Sequence, residues 1–270
     1  MNAAGPLPTT TLILGIPVHV LTLPDAVALA AHWVRLDEKA YVCHADARSI
    51  LAARDDPAVR QALAGARIVG ADGMPLVWLE RWRGLPGSRV YGPDFMEAMI
   101  ADGVARTDRP LRHFFFGSTP QVLERLTQRL TARHPGLVIA GTFSPPMGVW
   151  DDVAETEHRA LINRSQADIV WVSLGAPRQE LWMARNRPYL RAPLLGGVGA
   201  AFDFLSGAKP QAPRWLRHLG LEWAFRLLSE PRRLAGRYLR TLPRFTALAL
   251  AEEARRRWSP PEHNNKGQNV

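Results

Sequence analysis

Asp72 sits in Ala71-Asp72-Gly73, directly after a short apolar run at residues 67–70 and directly before a helical pattern at 74–82. A carboxylate at such an edge, partly withdrawn from water, holds its proton more tightly and can serve as a general base toward a hydroxyl. The same place suits an N-cap, because Asp accepts from the first unpaired N–H groups of a helix. Arg89 and Asp94 flank the turn Tyr91-Gly92-Pro93. A guanidinium donates paired hydrogen bonds, which suits a diphosphate whose leaving oxygen gains charge as a bond breaks. Asp94 either touches a ligand or caps the helix that follows. His44 and Asp46 close an apolar run at 40–44. Together they could hold a sugar or its nucleotide; alternatively His44 is structural and Asp46 caps the helix running toward Arg54.

Glycine turns supply the second kind of chemistry. Residues 169–174 form a short apolar run with β-branched members, broken by Gly175-Ala176-Pro177 and followed by Gln179 and Glu180. A second run at 193–198 meets Gly199 and then Phe202-Asp203-Phe204, and an earlier run at 111–116 ends in Gly117-Ser118. Strand, glycine turn and helix in succession place backbone N–H groups at the carboxyl edge of a parallel sheet, where anions and nucleotides bind. The glycines could instead serve the turns alone. Gln179, Glu180 and Asp203 are polar groups a solvent-facing helix does not need there. Neither His-Glu-x-x-His nor paired Cys-x-x-Cys occurs, nor Asp-x-Asp after an apolar strand, nor Gly-x-Gly-x-x-Gly at a first turn. No metal and no cofactor are therefore predicted.

These residues need a frame. Residues 1–10 read as a loose lead-in and 11–23 as a short hairpin. Helices at 24–36, after Asp46, from Asp56-Pro57, and at 74–82, 95–106, 119–134 and 151–165 alternate with strands at 40–44, 67–70, 111–116, 137–143, 169–174 and 193–198. Such alternation predicts an α/β fold: a Rossmann-like parallel sheet with helices on both faces. After Gly207 the strands stop, and 213–228, 231–240 and 243–257 read as three helices, each introduced by a proline. The predicted organisation is a core at 1–207, a basic helical appendage at 208–258 and a disordered tail at 259–270.

The chain has 270 residues, 47% hydrophobic and 22% charged, with a net charge of +9. These are values of a folded protein with a sizeable core, and the charge implies an anionic partner. Much of it lies after Gly207, including Arg232, Arg233 and Arg237, with Trp215, Leu219 and Leu228 among the arginines. Such helices either pack as a cap with solvated arginines or lie on anionic lipid. The single cysteine, Cys43, excludes an internal disulfide and reads as a small buried hydrophobe. No signal-peptide pattern and no stretch of about 20 apolar residues occurs, so a cytoplasmic protein is expected.

Taken jointly, the segments Ala71-Asp72-Gly73-Met74-Pro75-Leu76-Val77-Trp78, Arg89-Val90-Tyr91-Gly92-Pro93-Asp94, Phe115-Phe116-Gly117-Ser118 and Leu174-Gly175-Ala176-Pro177-Arg178-Gln179-Glu180 carry a resemblance. Gly197-Val198-Gly199-Ala200-Ala201-Phe202-Asp203, Ala212-Pro213-Arg214-Trp215, Gly220-Leu221-Glu222-Trp223 and Glu230-Pro231-Arg232-Arg233 extend it. In order and spacing they resemble the bacterial WecG/TagA/CpsF glycosyltransferases. The resemblance implies an inverting, metal-independent enzyme that takes a sugar from a UDP-sugar donor. The acceptor would be a polyprenyl-diphosphate-linked saccharide at the inner membrane face, in cell-surface polysaccharide biosynthesis. It further implies Asp72 as general base, Arg89 as the residue meeting the diphosphate and Gln179 in the pocket. Arg232, Arg233 and Arg237 would complete the site against the lipid diphosphate. His44, Asp46, Gly92, Asp94, Gly117, Ser118, Gln179, Glu180, Gly199 and Asp203 make up the expected substrate-binding set. One departure stands out: many members have Thr-x-Asn where this chain has His44-Ala45-Asp46. It leaves the donor open among N-acetylmannosamine, its uronic acid and a hexose. Two other readings compete: a nucleic-acid-binding α/β protein using its basic helices, and a nucleotide-sugar-binding protein without catalysis. Under the glycosyltransferase reading no nucleic acid is expected, and a homo-oligomer is allowed.

Overall fold

A computed structural model of the chain describes residues 8–106 and 108–258. Eight strands form one sheet: β1 (Thr10–Ile13), β2 (Ile16–His19), β3 (Ala40–Ala45), β4 (Ile68–Ala71), β5 (Arg112–Gly117), β6 (Val138–Phe143), β7 (Ile169–Ser173) and β8 (Leu194–Gly197). Their order across the sheet is β1-β2-β4-β3-β8-β7-β5-β6; β1 and β2 form an antiparallel hairpin and every other pairing is parallel. Side chains alternate between the faces as strand geometry requires. On β5, Phe114 and Phe116 enter one core while Phe115 enters the other; on β7, Val170 and Val172 oppose Ile169 and Trp171.

Helices cover both faces, as the alternation predicts. One layer holds α1 (Leu23–Arg35), α5 (Gly92–Val104), α6 (Pro120–Arg133) and the short α9 (Ala201–Leu205). The other holds α2 (Ala47–Asp55), α3 (Pro57–Ala64), α4 (Met74–Trp82), α7 (Asp152–Ser165) and α8 (Arg178–Asn186). Starts follow local chemistry: Thr22, Asp46, Asp56, Thr119 and Asp151 each accept a backbone N–H of the helix they open. Prolines occupy the first turns of α1, α3, α4, α5 and α6, where a missing N–H costs nothing. At the end of β5, Gly117 has φ +117°, and a Cβ there would lie 2.3 Å from Ser173 O, so only glycine lets β5 and β7 end side by side.

The C-terminal segment differs from its sequence reading. The expected helix 213–228 is two, α10 (Arg214–His218) and α11 (Glu222–Ser229), broken at Gly220. Gly220 has φ +74°, and a Cβ there would meet Met74 at 2.8 Å, so the bend fits tightly against the start of α4. The expected pair 231–240 and 243–257 is instead one helix, α12 (Pro231–Trp258), with Pro243 inside it. An interior proline costs about 3 kcal/mol through a lost hydrogen bond and a clash. Tertiary contacts beyond it offset that cost. Phe245 and Ala249, 2% and 6% exposed, join the core beside α2, and the exposed Arg244, which pairs with both carboxylate oxygens of Asp55, adds little to that. Arg83, at the end of α4, reaches Glu252, Glu253, Thr11 Oγ1 and Leu12 O, so α12 is fastened to the hairpin as well. Cys43 is buried, as predicted. The tail 259–270 and residues 1–7 of the lead-in lie outside the described residues.

Candidate active site

The apolar strand β4 delivers Asp72 to the carboxyl edge of the sheet, where Asp72 N donates to Ala45 O of β3 at 2.8 Å. Gly73, not Asp72, occupies the cap position of α4, so the Asp72 carboxylate is not consumed by the helix. Residues 84–91 then run back along β4: Val90 N donates to Ala71 O at 2.8 Å, with the Val90 side chain fully buried. That strap carries Arg89 to Asp72. Its Nη2 donates to Asp72 Oδ1 at 3.0 Å and its Nε to the Asp72 carbonyl.

A third residue closes the constellation. Glu222, the first residue of α11 and 5% exposed, accepts from Arg89 Nη1 and from the Tyr91 hydroxyl, both at 2.7 Å. Arg89 also stacks over the Tyr91 ring, 4.0 Å from its centroid. One guanidinium thus bridges two carboxylates. Burial pushes the Asp72 carboxyl up to about 6, Arg89 pulls it down, and the Glu222 and Asp46 carboxylates push it up again. Burial works against the Arg89 charge, yet Asp72 and Glu222 outweigh it and hold the guanidinium above its usual value. The Asp72 side chain keeps 26% of its surface exposed, so it is shielded from bulk water and still open to a ligand.

That opening is a cavity of about 460 Å³ enclosed by the starts of α2 and α4 together with α11 and α12. Asp46, Asp72 and Arg89 line it at the sheet edge, Arg226 and Arg237 line it from α11 and α12, and Trp78, Trp82, Leu242 and Leu250 make it largely apolar between α4 and α12.

The predicted residues fall into separate groups. Asp46, Asp72, Arg89 and Arg237 share the cavity. Asp46 does cap α2 as anticipated, its Oδ1 accepting from Ser49 N at 2.8 Å and Ser49 Oγ at 3.0 Å. His44 lies behind the cavity, 7% exposed, with Nδ1 3.0 Å from Val90 O. A carbonyl only accepts, so Nδ1 carries the proton; burial lowers the ring's pKa to about 4 and keeps it neutral. His44 therefore supports the strap bearing Arg89. Gly92 opens α5 beside it, and Asp94, in the first turn of α5, pairs with Arg217 Nη1 at 2.6 Å.

Gly117, Ser118, Gln179, Glu180, Gly199 and Asp203 stay at the ends of β5, β7 and β8 and line no part of the cavity. Gln179 Oε1 accepts from Gly199 N at 3.1 Å and its Nε2 donates to Glu180 Oε1 at 3.0 Å. Burial pushes the Glu180 carboxyl up to about 7. Ser118 N donates to Ser173 O at 3.1 Å, and Asp203 pairs with Lys209. Arg232 is exposed at the start of α12, while the side chain of Arg233 lies outside the described ones. Among the described residues, no group of three or more His, Cys, Asp or Glu side chains is placed to hold a metal ion.

Glu222, Tyr91 and Arg226 were not singled out for chemistry by the sequence. The available signal was compositional: Glu222 is one of few acids in a segment dense with arginine. In comparison with known families, the model described as "Glycosyl transferase WecG/TagA/CpsF family" matches residues 11–259.

Proposed function

The chain belongs to the WecG/TagA/CpsF glycosyl transferase family of cell-surface polysaccharide biosynthesis, and on that premise we propose an inverting, metal-independent transfer from a UDP-sugar to a polyprenyl-diphosphate-linked saccharide. The observation that carries the reading is the Asp72 carboxyl, buried to a pKa of about 6 yet open to a cavity lined by Arg226 and Arg237.

With Oδ1 held by Arg89, Asp72 takes the acceptor hydroxyl's proton on its other oxygen. The acceptor oxygen forms its bond to the anomeric carbon from the face opposite the leaving group, and the bond from that carbon to the UDP oxygen breaks with its electron pair. UDP leaves, and Asp72 returns the proton to solvent. Arg226 and Arg237 line the cavity with Arg89 and supply positive charge to meet the diphosphate. Cationic side chains can meet developing phosphate charge directly. The apolar stretch between α4 and α12 suits the first isoprene units of the acceptor. The donor sugar is N-acetylmannosamine, its uronic acid or a hexose, which the panel below separates.

A peripheral position on the inner membrane face agrees with the surface. Trp215, Leu219, Leu228 and Leu239 are 62%, 62%, 82% and 74% exposed along the arginine-rich segment. No helix among the described residues is long and apolar enough to cross a membrane.

UDP release from a panel of UDP-sugars, with a lipid-diphosphate saccharide and EDTA present, tests the reading. Acceptor-dependent release of one donor is expected. Asp72→Asn should lower its kcat by about 10²–10⁴-fold, the usual contribution of a general base. Turnover retained by Asp72→Asn removes the base assignment, and dependence on added metal removes the metal-independent mechanism.

A further inference from the structure

We infer that Glu222 is the positioning residue through which the C-terminal segment governs the Asp72 carboxyl, acting on it through Arg89. The inference rests on Asp72 being the base and adds a control that this role does not require.

The geometry is specific. A guanidinium is planar and rigid, so where Nη1 is pinned decides where Nη2 and Nε point. Glu222 Oε2 pins Nη1, Asp72 Oδ1 takes Nη2, and the Asp72 carbonyl takes Nε. Glu222 Oε1 is occupied as well, by the Tyr91 hydroxyl, and Gln211 Nε2 reaches that hydroxyl at 3.4 Å. Glu222 is therefore buried with both oxygens bonded to the strap that carries Arg89.

Charge follows from the same contacts. One guanidinium shared between two carboxylates stabilises each less than it would stabilise one alone. The other groups facing Asp72 are Asp46 at the start of α2 and, across the cavity, Arg226 on α11 and Arg237 on α12, with Arg48 on α2. Of these, Glu222 and Asp46 are the carboxylates that raise the Asp72 pKa. Asp46 is the cap of α2 at the sheet edge, whereas Glu222 belongs to α11, which starts beyond the Gly220 bend packed on Met74. Withdrawing α11 leaves Asp72 and Arg89 as an isolated pair, with the carboxylate a weaker base and the guanidinium free to turn.

The test uses the full chain as wild type, Glu222→Gln, Glu222→Asp and Asp72→Asn. The Asp72 pKa is read from its carboxyl ¹³C shift against pH, assigned by the signal missing in Asp72→Asn, and kcat/KM for sugar transfer is measured over the same range. In Glu222→Gln the Asp72 titration and the acid limb of the rate profile should both fall by about one pH unit. The high-pH plateau should drop roughly tenfold, since a weaker base accepts a proton less readily. Glu222→Asp, with its carboxylate one methylene further from Arg89, should fall between the two. An Asp72 titration unmoved or raised in whichever of these two variants is folded overturns the inference, even if activity is lost. A lowered Asp72 titration with an unmoved acid limb supports the Glu222 link and instead removes Asp72 as the base.

Discussion

Glu180 has 1% of its surface exposed, one oxygen accepting from Gln179 and the other without a hydrogen-bond partner among the described residues. Burial raises its carboxyl from 4.5 to about 7. For an acid with a raised folded-state value, the native state favours the protonated form. Stability is therefore present at low pH and is lost as pH climbs from the unfolded value near 4.5 through the folded value near 7. Glu180→Gln, whose amide oxygen can still accept from Gln179, should be more stable than wild type at pH 8 by about 1–3 kcal/mol. The two should converge at pH 4, as measured by urea midpoints at each pH. This acid sits in the first turn of α8, just past the Gly175-Ala176-Pro177 turn that the sequence marks with polar groups. Asp72 was legible from residue type at a strand end, and Arg89 from its place flanking the Tyr91-Gly92-Pro93 turn. Glu222 was not. Its partners lie more than 130 positions away in the chain, a distance no local spacing encodes.

Elements were easier to read than contacts, and the reason is local. Caps, first-turn prolines and alternating apolar strands act within a few residues, and each parallel strand was predicted close to where it lies. The errors came where tertiary contact overruled local propensity. Pro243 read as the start of a helix and Gly220 as the interior of one; Gly220 instead breaks a helix, whereas Pro243 is carried inside α12 because both halves are held. Arg83 is the strongest fastening, with its side chain 6% exposed between Glu252 and Glu253 on α12 and Thr11 and Leu12 on the hairpin. Arg83→Ala strands two partly buried carboxylates and should cost about 3 kcal/mol in denaturant midpoint. Arg244→Ala breaks the pair with Asp55, whose partners are 51% and 46% exposed, and should leave the midpoint almost unchanged because water and salt screen such pairs. An unchanged midpoint in both variants would show that α12 is held by its apolar face alone.

At the scale of the whole molecule, the basic C-terminal segment divides in packing although its sequence reads as one appendage. The far half of α12 is core: Phe245 and Ala249 pack beside α2, and Glu252 and Glu253 meet Arg83. Cutting the chain at residue 207 would therefore uncover apolar core as well as remove a surface helix. Point substitutions separate the two. Leu228 and Leu239 are 82% and 74% exposed and contribute little to the fold; in the proposed peripheral position each would offer an apolar side chain to a bilayer beside arginines that would attract anionic headgroups. Burying one leucine in an apolar phase is worth roughly 1.5–3 kcal/mol. A Leu228→Glu, Leu239→Glu double variant should thus weaken sedimentation with anionic vesicles by at least about tenfold, while its denaturant midpoint stays within error of wild type. Raising salt should release the wild type from those vesicles only in part, because screening removes the arginine attraction and leaves the insertion. Full release by salt, with the double variant binding as tightly as wild type, would assign the membrane contact to charge alone and place these leucines outside it.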